Sequence, residues 1–171
     1  SKIPDMILFT SDDEEILSKA SELPGVITDR RPDQLAGSVP SMWDVVGELL
    51  SRRMKEFAQY QDILILSPCH PFRTGKHLSQ AMELYRNKKA LALMSITPYP
   101  CSPAFALSVK NQLIQRNWNG LVRSSEQPEA FYPNGAITIL RRHVLDNYGG
   151  PFTEKTLAFE LPWPYCLDID T

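Results

Sequence analysis

Long hydrophobic runs are missing from this 171-residue chain: the longest, such as Ala90-Leu91-Ala92-Leu93-Met94, are strand-sized. None approaches the roughly 20 apolar residues that span a bilayer, so neither a membrane helix nor a secretory signal is read here. Cysteine is scarce. Cys69, Cys101 and Cys166 are odd in number and have no Cys-x-x-Cys spacing, which argues against a disulfide framework or a zinc site and for a cytoplasmic location. Excess charge of either sign is also lacking, with 18 Lys and Arg against 20 Asp and Glu and a net charge of −2. No global basic field draws such a chain to nucleic acid or an anionic membrane, and any phosphate it binds must be held by local groups. Glycine is outnumbered by proline, 8 to 14. The prolines cluster between Pro98 and Pro103 and between Pro151 and Pro164, where stiff loops and arms are expected.

What is present is ordinary globular material, 43% hydrophobic and 22% charged. The length suits one α/β domain over residues 1–171. Met6 to Thr10 reads as a buried strand, and Ser11-x-x-Glu14 offers a capping box for a helix carrying Ile16, Leu17 and Ala20. Pro24-Gly25 stops that helix before a second strand at Val26-Ile27-Thr28. Val46, Leu50, Met54 and Phe57 recur at helical spacing, predicting one helix from after Ser41 to near Tyr60. Asp62 to Leu66 is a third strand, a helix with Leu78, Ala81, Met82 and Tyr85 on its apolar stripe follows, and Ala90 to Ile96 is a fourth strand. Strands alternating with helices predict a mostly parallel sheet covered on both faces. From about residue 98 to 133 the order loosens into an inserted arm with a strand expected over Ala104 to Val109. Ala136 to Leu140 then returns to strand, and a short helix is expected near Arg142.

The stretch most suggestive of chemistry is Leu66-Ser67-Pro68-Cys69-His70-Pro71-Phe72-Arg73. It is a proline-bracketed bend at the carboxyl end of a strand, where open α/β sheets bind ligands, and it carries a permanent cation. Arg30, Arg31 and Arg73 each follow a strand and are placed to meet phosphate or carboxylate. Asp168-Ile169-Asp170 would put two carboxylates on one side of a strand, able to share a hard cation such as Mg²⁺, or it is a solvated acidic tail. The acidic residues Asp12 to Glu15 are read as helix-dipole partners behind a Ser11 cap. His70, His77 and His143 have no metal spacing and no nucleophilic context. Asn134-Gly135 reads as a turn by default, or as an amide that fixes a ligand.

Five of these segments, in order, resemble the CMP-N-acylneuraminate cytidylyltransferase family, which includes relatives acting on other nine-carbon acidic sugars. Thr10 to Ile16 is similar to its Ser-Thr-Asp-Asp-Glu-Glu-Ile segment, and Arg30 to Ala36 to its Arg-Pro-x-Glu-Leu-Ala stretch. Leu66 to Arg73 resembles Leu-Gln-Pro-Thr-Ser-Pro-Leu-Arg, Asn134 to Ile137 resembles Asn-Gly-Ala-Ile, and Asp168 to Thr171 matches Asp-Ile-Asp-Thr.

The resemblance implies a Rossmann-like, three-layer nucleotide-diphospho-sugar transferase fold and a homodimer whose arm reaches the partner's site. It implies transfer of CMP from CTP to a sialic-type 2-keto acid, with pyrophosphate released and Mg²⁺ required. By position, Asp168 and Asp170 would be catalytic and hold the metal, Arg31 and Ser41 would bind nucleotide, and Ser67, His70, Arg73 and Asn134 would bind the sugar. Two departures bear on this. The family's opening strand and glycine-rich, lysine-bearing loop have no counterpart here, and the family continues past the position of Thr171 with a further acidic residue and a helix, so a chain truncated at both ends is expected. The family's Gln is Ser67, its Thr-Ser is Cys69-His70, and its Arg-Gln before an acidic-x-Pro stretch is Ser124-Ser125. A different acidic sugar, a different sugar and base, or a non-catalytic binding module on the same scaffold are the readings those changes leave open.

Overall fold

The structure is a computed structural model that describes residues 4–37, 39–117 and 123–169. In chain order its elements are β1 (Ile7–Ser11), α1 (Glu14–Ser21), β2 (Val26–Arg30), α2 (Met42–Arg52), α3 (Met54–Phe57), β3 (Asp62–Ile65) and α4 (Gly75–Asn87). After these come β4 (Ala92–Pro98), β5 (Leu107–Lys110), β6 (Leu113–Arg116), β7 (Phe131–Arg141), α5 (Arg142–Tyr148) and β8 (Thr156–Glu160). β1 and β2 pair in parallel, and a four-stranded sheet runs β3-β7-β4-β8. The α/β architecture is the expected one, but the sheet is mixed: β7 is antiparallel to both β3 and β4, and only β4 and β8 within it run parallel.

Period-two alternation explains how this sheet is covered on both faces. One face of β4 and β7 contributes Leu93, Ile137 and Ile139, on which α4 lays Ala81, Met82 and Tyr85. The alternate residues Ala92 and Leu140 face the other way, onto Val144 and Leu145 of α5 and Trp43, Val46 and Leu50 of α2. The result is a three-layer core in which β7 is the central beam.

Several sequence expectations are corrected. The cap of α1 is Asp13, whose carboxylate accepts from the Glu15 and Ile16 amides at 2.8 and 3.0 Å. Ser11 instead ends β1, and its hydroxyl accepts from the Asp13 amide. The single helix expected to end near Tyr60 breaks at Arg53, whose φ of −107° and ψ of 29° leave the helical region. Arg53 there turns its guanidinium to Asp29 and Glu56 and packs it over the Phe57 ring. Instead of one strand over Ala104 to Val109 there is a 3₁₀ turn at Pro103–Phe105 followed by the β5–β6 hairpin. Lys110 pairs with Leu113, leaving a two-residue turn in which Asn111 and Gln112 both have positive φ. That is the geometry that matches strand twist. β8 was not expected, although Thr156-Leu157-Ala158-Phe159-Glu160 alternates as a strand should.

Candidate functional site

The bend after β3 is stapled to β7 by two of its own side chains. Arg73 donates from Nη1 to the carbonyl of Ser67 at 2.8 Å, closing the loop on itself, and to the carbonyl of Ala136 at 2.6 Å, tying it to β7. His70 donates from Nε2 to the carbonyl of Asn134 at 2.7 Å. Within the loop the Ser67 hydroxyl accepts from the Cys69 amide, and the Arg73 amide donates to the His70 carbonyl. The prolines and these turns fix the backbone before α4 opens at its Thr74 cap.

Asn134-Gly135, with a turn as its default reading, is a bulge inside β7. The pairing to β4 slips between Met94 and Ile96, where Thr138 and then Pro133 are the partners. Gly135 takes a φ of +75°, which L side chains rarely adopt. The Asn134 amide fills the gap in the ladder: Oδ1 accepts from the Ser95 hydroxyl and the Ala136 amide, and Nδ2 donates to the Thr97 hydroxyl. Ser95 then accepts from the Ile137 amide, and Thr97 donates to the Leu161 carbonyl. Asn134 therefore works as a buried strut through its side chain and offers its carbonyl to His70.

The segment next to Asp168 reaches the same loop, where the Ile169 amide donates to the Cys69 carbonyl at 3.0 Å. The Tyr165 ring, three residues earlier, meets the His77 ring edge-on at 4.6 Å between centroids. Asp168 lies outside any strand, contrary to expectation, and is exposed. Asp170 lies outside the described residues. Among the described residues no cluster of three or more His, Cys, Asp or Glu side chains forms a metal cage. Ser67, His70, Arg73, Asn134 and Asp168 are thus brought to one neighbourhood.

Electrostatically, Arg73 dominates it. Burial alone pulls its pKa below the ordinary guanidinium value, and no carboxylate among the described residues pairs with it. A guanidinium does not give up its proton in proteins, so this is a half-buried cation without a counter-charge.

Arg31 and Ser41 sit apart, and among the described residues no hydrogen bond or ion pair joins them to the loop. Arg31 follows β2, its amide donating to the Ser11 carbonyl and its guanidinium reaching the Thr10 carbonyl at 3.4 Å and Asp12 at 3.8 Å. Its Nε is buried without a hydrogen-bond partner among the described residues. The Ser41 hydroxyl caps α2, accepting from the Asp44 amide and donating to the Asp44 carboxylate. That side-chain bond, with a second from the Ser41 amide, holds Asp44 below the usual carboxylate range. Arg30, the third cation after a strand, is engaged by Glu14 at 2.8 Å and Asp33 at 3.2 Å. Sequence reasoning missed Ser95 and Thr97. Two hydroxyls spaced by two in an otherwise apolar strand were the available signal.

No family profile matches the chain. It is 26% identical over 168 residues to the N-acylneuraminate cytidylyltransferase of Streptococcus agalactiae serotype III (strain NEM316), covering 96% of this chain and 40% of that protein. The N-acylneuraminate cytidylyltransferase of Escherichia coli O18:K1:H7 (strain RS218 / NMEC) is 24% identical over 184 residues, 99% of this chain and 40% of that one. The chain therefore spans about two-fifths of the length of these relatives. Among solved structures, CMP:2-keto-3-deoxy-manno-octonic acid synthetase complexed with CTP superposes with a TM-score of 0.59 at 16% identity. That match covers 92% of this chain and 72% of the other, and it shows a shared fold.

Proposed function

We propose that this relative of the N-acylneuraminate cytidylyltransferases is part of an enzyme that transfers CMP from CTP to an acidic 2-keto sugar. The observation that carries the reading is Arg73, a half-buried cation with no carboxylate partner among the described residues, fixed beside the Asn134–Gly135 bulge. A site that holds such a cation is complementary to a ligand carboxylate, which restores the missing charge. Ser67 and Asn134 shape that subsite through the loop turn and the strut, and Arg31 and Ser41 belong to the nucleotide side.

In the reaction the sugar's anomeric hydroxyl attacks the α-phosphorus of CTP. A new P–O bond forms, the bond to the β-phosphate oxygen breaks, pyrophosphate leaves, and the hydroxyl proton passes to solvent. The protein's part is to hold the sugar by its carboxylate so that this hydroxyl points at phosphorus. Asp168 is exposed, unpaired among the described residues and a hard oxygen donor, which suits Mg²⁺. With Asp170 it would hold the ion, whose chemistry is to offset charge on the triphosphate.

Two further parts of the reading have structural support. Every residue of β5 and β6 is exposed, including Val109 and Ile114, which pair side by side. A lone two-stranded hairpin is marginal in water, and a second copy of the chain that covers it gives the homodimer. Cys69, Cys101 and Cys166 are all free thiols, in keeping with a cytoplasmic location. No helix of the described residues is long and apolar enough to cross a membrane.

The test is pyrophosphate release by the full-length protein with CTP, Mg²⁺ and a panel of acidic sugars. Release above background with one of them is expected. Binding of a sugar or nucleotide without turnover would instead identify a non-catalytic module.

A further inference from the structure

We infer that His70 offers its Nδ1 as a hydrogen-bond acceptor to a hydroxyl or amide N–H of the bound sugar, and so selects the substrate. This deepens the sugar-transfer reading above and rests on it. The bond from Nε2 to the Asn134 carbonyl settles the tautomer, because a carbonyl only accepts and Nε2 must carry the proton. In that tautomer Nδ1 is a lone-pair acceptor. It is buried in a residue only 3% exposed and has no hydrogen-bond partner among the described residues. Buried polar atoms are normally paired, so an orphan at a ligand-facing loop marks a bond left for a ligand.

The ring is held by its neighbours. Nε2 is tied to the Asn134 carbonyl, and the Cε1 edge faces Gly135, where an added Cβ would sit 3.8 Å away in ordinary contact. Three residues on, Arg73 is tied to the same strand through the Ala136 carbonyl. The two side chains are chemically opposite. Arg73 only donates and His70 Nδ1 only accepts, so together they match a carboxylate bearing a hydrogen-bond donor close by. A polyhydroxylated or acylamino sugar acid has both groups, whereas a bare keto acid has only the first. Discrimination of this kind is steep, since the wrong ligand leaves a buried polar atom unpaired.

Two substitutions separate the ring's two nitrogens. His70→Gln keeps an N–H near the Nε2 position for the Asn134 carbonyl and deletes the Nδ1 acceptor; His70→Asn does the reverse. The probe is whichever of N-acetylneuraminate and 2-keto-3-deoxy-manno-octonic acid supports the greater pyrophosphate release by the full-length protein. His70→Gln is expected to raise KM for that sugar about fivefold, the loss of one hydrogen bond, with kcat and KM for CTP unmoved. His70→Asn should keep more of the sugar affinity than His70→Gln. In the wild-type protein the Nδ1 nitrogen resonance of His70 should move on adding the sugar and stay still on adding pyruvate. An unmoved resonance, or a His70→Gln enzyme with unchanged KM for the sugar, would overturn the inference and leave the transfer reading standing. Failure of both sugars to support release would overturn the two together.

Discussion

Asp29 of β2 and Arg52 of α2 form a two-pronged ion pair, Nη1 to Oδ1 at 3.0 Å and Nη2 to Oδ2 at 2.9 Å. Asp29 is buried and also receives the Thr10 hydroxyl and the Arg53 guanidinium. Burial pushes its pKa up, but the bonds and charge of Arg52, with Thr10 and Arg53 behind, outweigh that and hold it below the usual value. The pair is a direct tie between the β1–β2 unit and the helices under the larger sheet. Arg52→Met is expected to destabilise the fold by about 1–3 kcal/mol, less than a fully buried pair because Arg52 is partly exposed. Arg52→Lys should recover little, since an ammonium lacks the fork. Urea denaturation checks both.

His77 makes stability depend on pH. Its Nδ1 accepts from the Thr74 amide at 3.2 Å and so closes the capping box of α4. Burial, and then the charge of Lys76, hold its pKa below the ordinary 6.5. A pKa lowered on folding means that the unfolded chain binds the proton more tightly. The contribution is therefore fully present above 6.5 and is lost as pH falls through the folded value. His77→Asn, which keeps an acceptor and does not titrate, should flatten thermal stability against pH below 6.5.

Replacing Arg73 with methionine should remove acidic-sugar binding while leaving CTP binding in place. Loss of a charge-assisted contact corresponds to about a 10- to 100-fold rise in KM for the sugar. Calorimetry with each ligand separately decides it. An equal loss of CTP affinity would place Arg73 on the nucleotide side.

The bulge in β7 has a backbone and a side-chain component that mutate differently. Gly135→Ala should cost about 1–2 kcal/mol from its φ of +75°, although a Cβ there meets nothing closer than 3.8 Å. Asn134→Ala should cost about 2–4 kcal/mol, because the Ser95, Thr97 and Ala136 groups lose their partner in a buried site. Thermal denaturation of the two variants and their double mutant gives the coupling between them.

The exposed hairpin gives a prediction about assembly. On the homodimer reading proposed above, Val109→Lys, opposite Ile114 on the apolar side of β5 and β6, is expected to weaken self-association in analytical ultracentrifugation. The variant should keep its secondary structure, because among the described residues β5 and β6 pair only with each other.

Most of the α/β order could be read from the sequence because its signals are local. Leu93 and Ile139, or Ala81 and Tyr85, announce strand and helix by spacing, and Ser41 announces a helix start by its chemistry. What could not be read was pairing. Nothing local to Ala136–Leu140 says that it runs antiparallel between β3 and β4, and Asn134-Gly135 has the same sequence in a hairpin turn and in a bulge. The break at Arg53 likewise depends on Asp29, 24 residues away in sequence. At the site, the cationic bend was visible from its prolines and Arg73. The Ser95 and Thr97 struts were hidden because a hydroxyl in a strand is usually just tolerated there.

β7 enters from the arm at Phe131, passes the site at Asn134, and reaches the centre of the core by Leu140. The proposed arm contact and the candidate site thus share one continuous piece of backbone, with Asn134 only three residues from the strand's outer end. If covering the hairpin stiffens Phe131–Pro133, it also narrows the positions open to the Asn134 carbonyl on which His70 hangs. Linkage then requires the converse: a ligand seated against His70 and Arg73 must tighten self-association by the same factor by which self-association tightens the ligand.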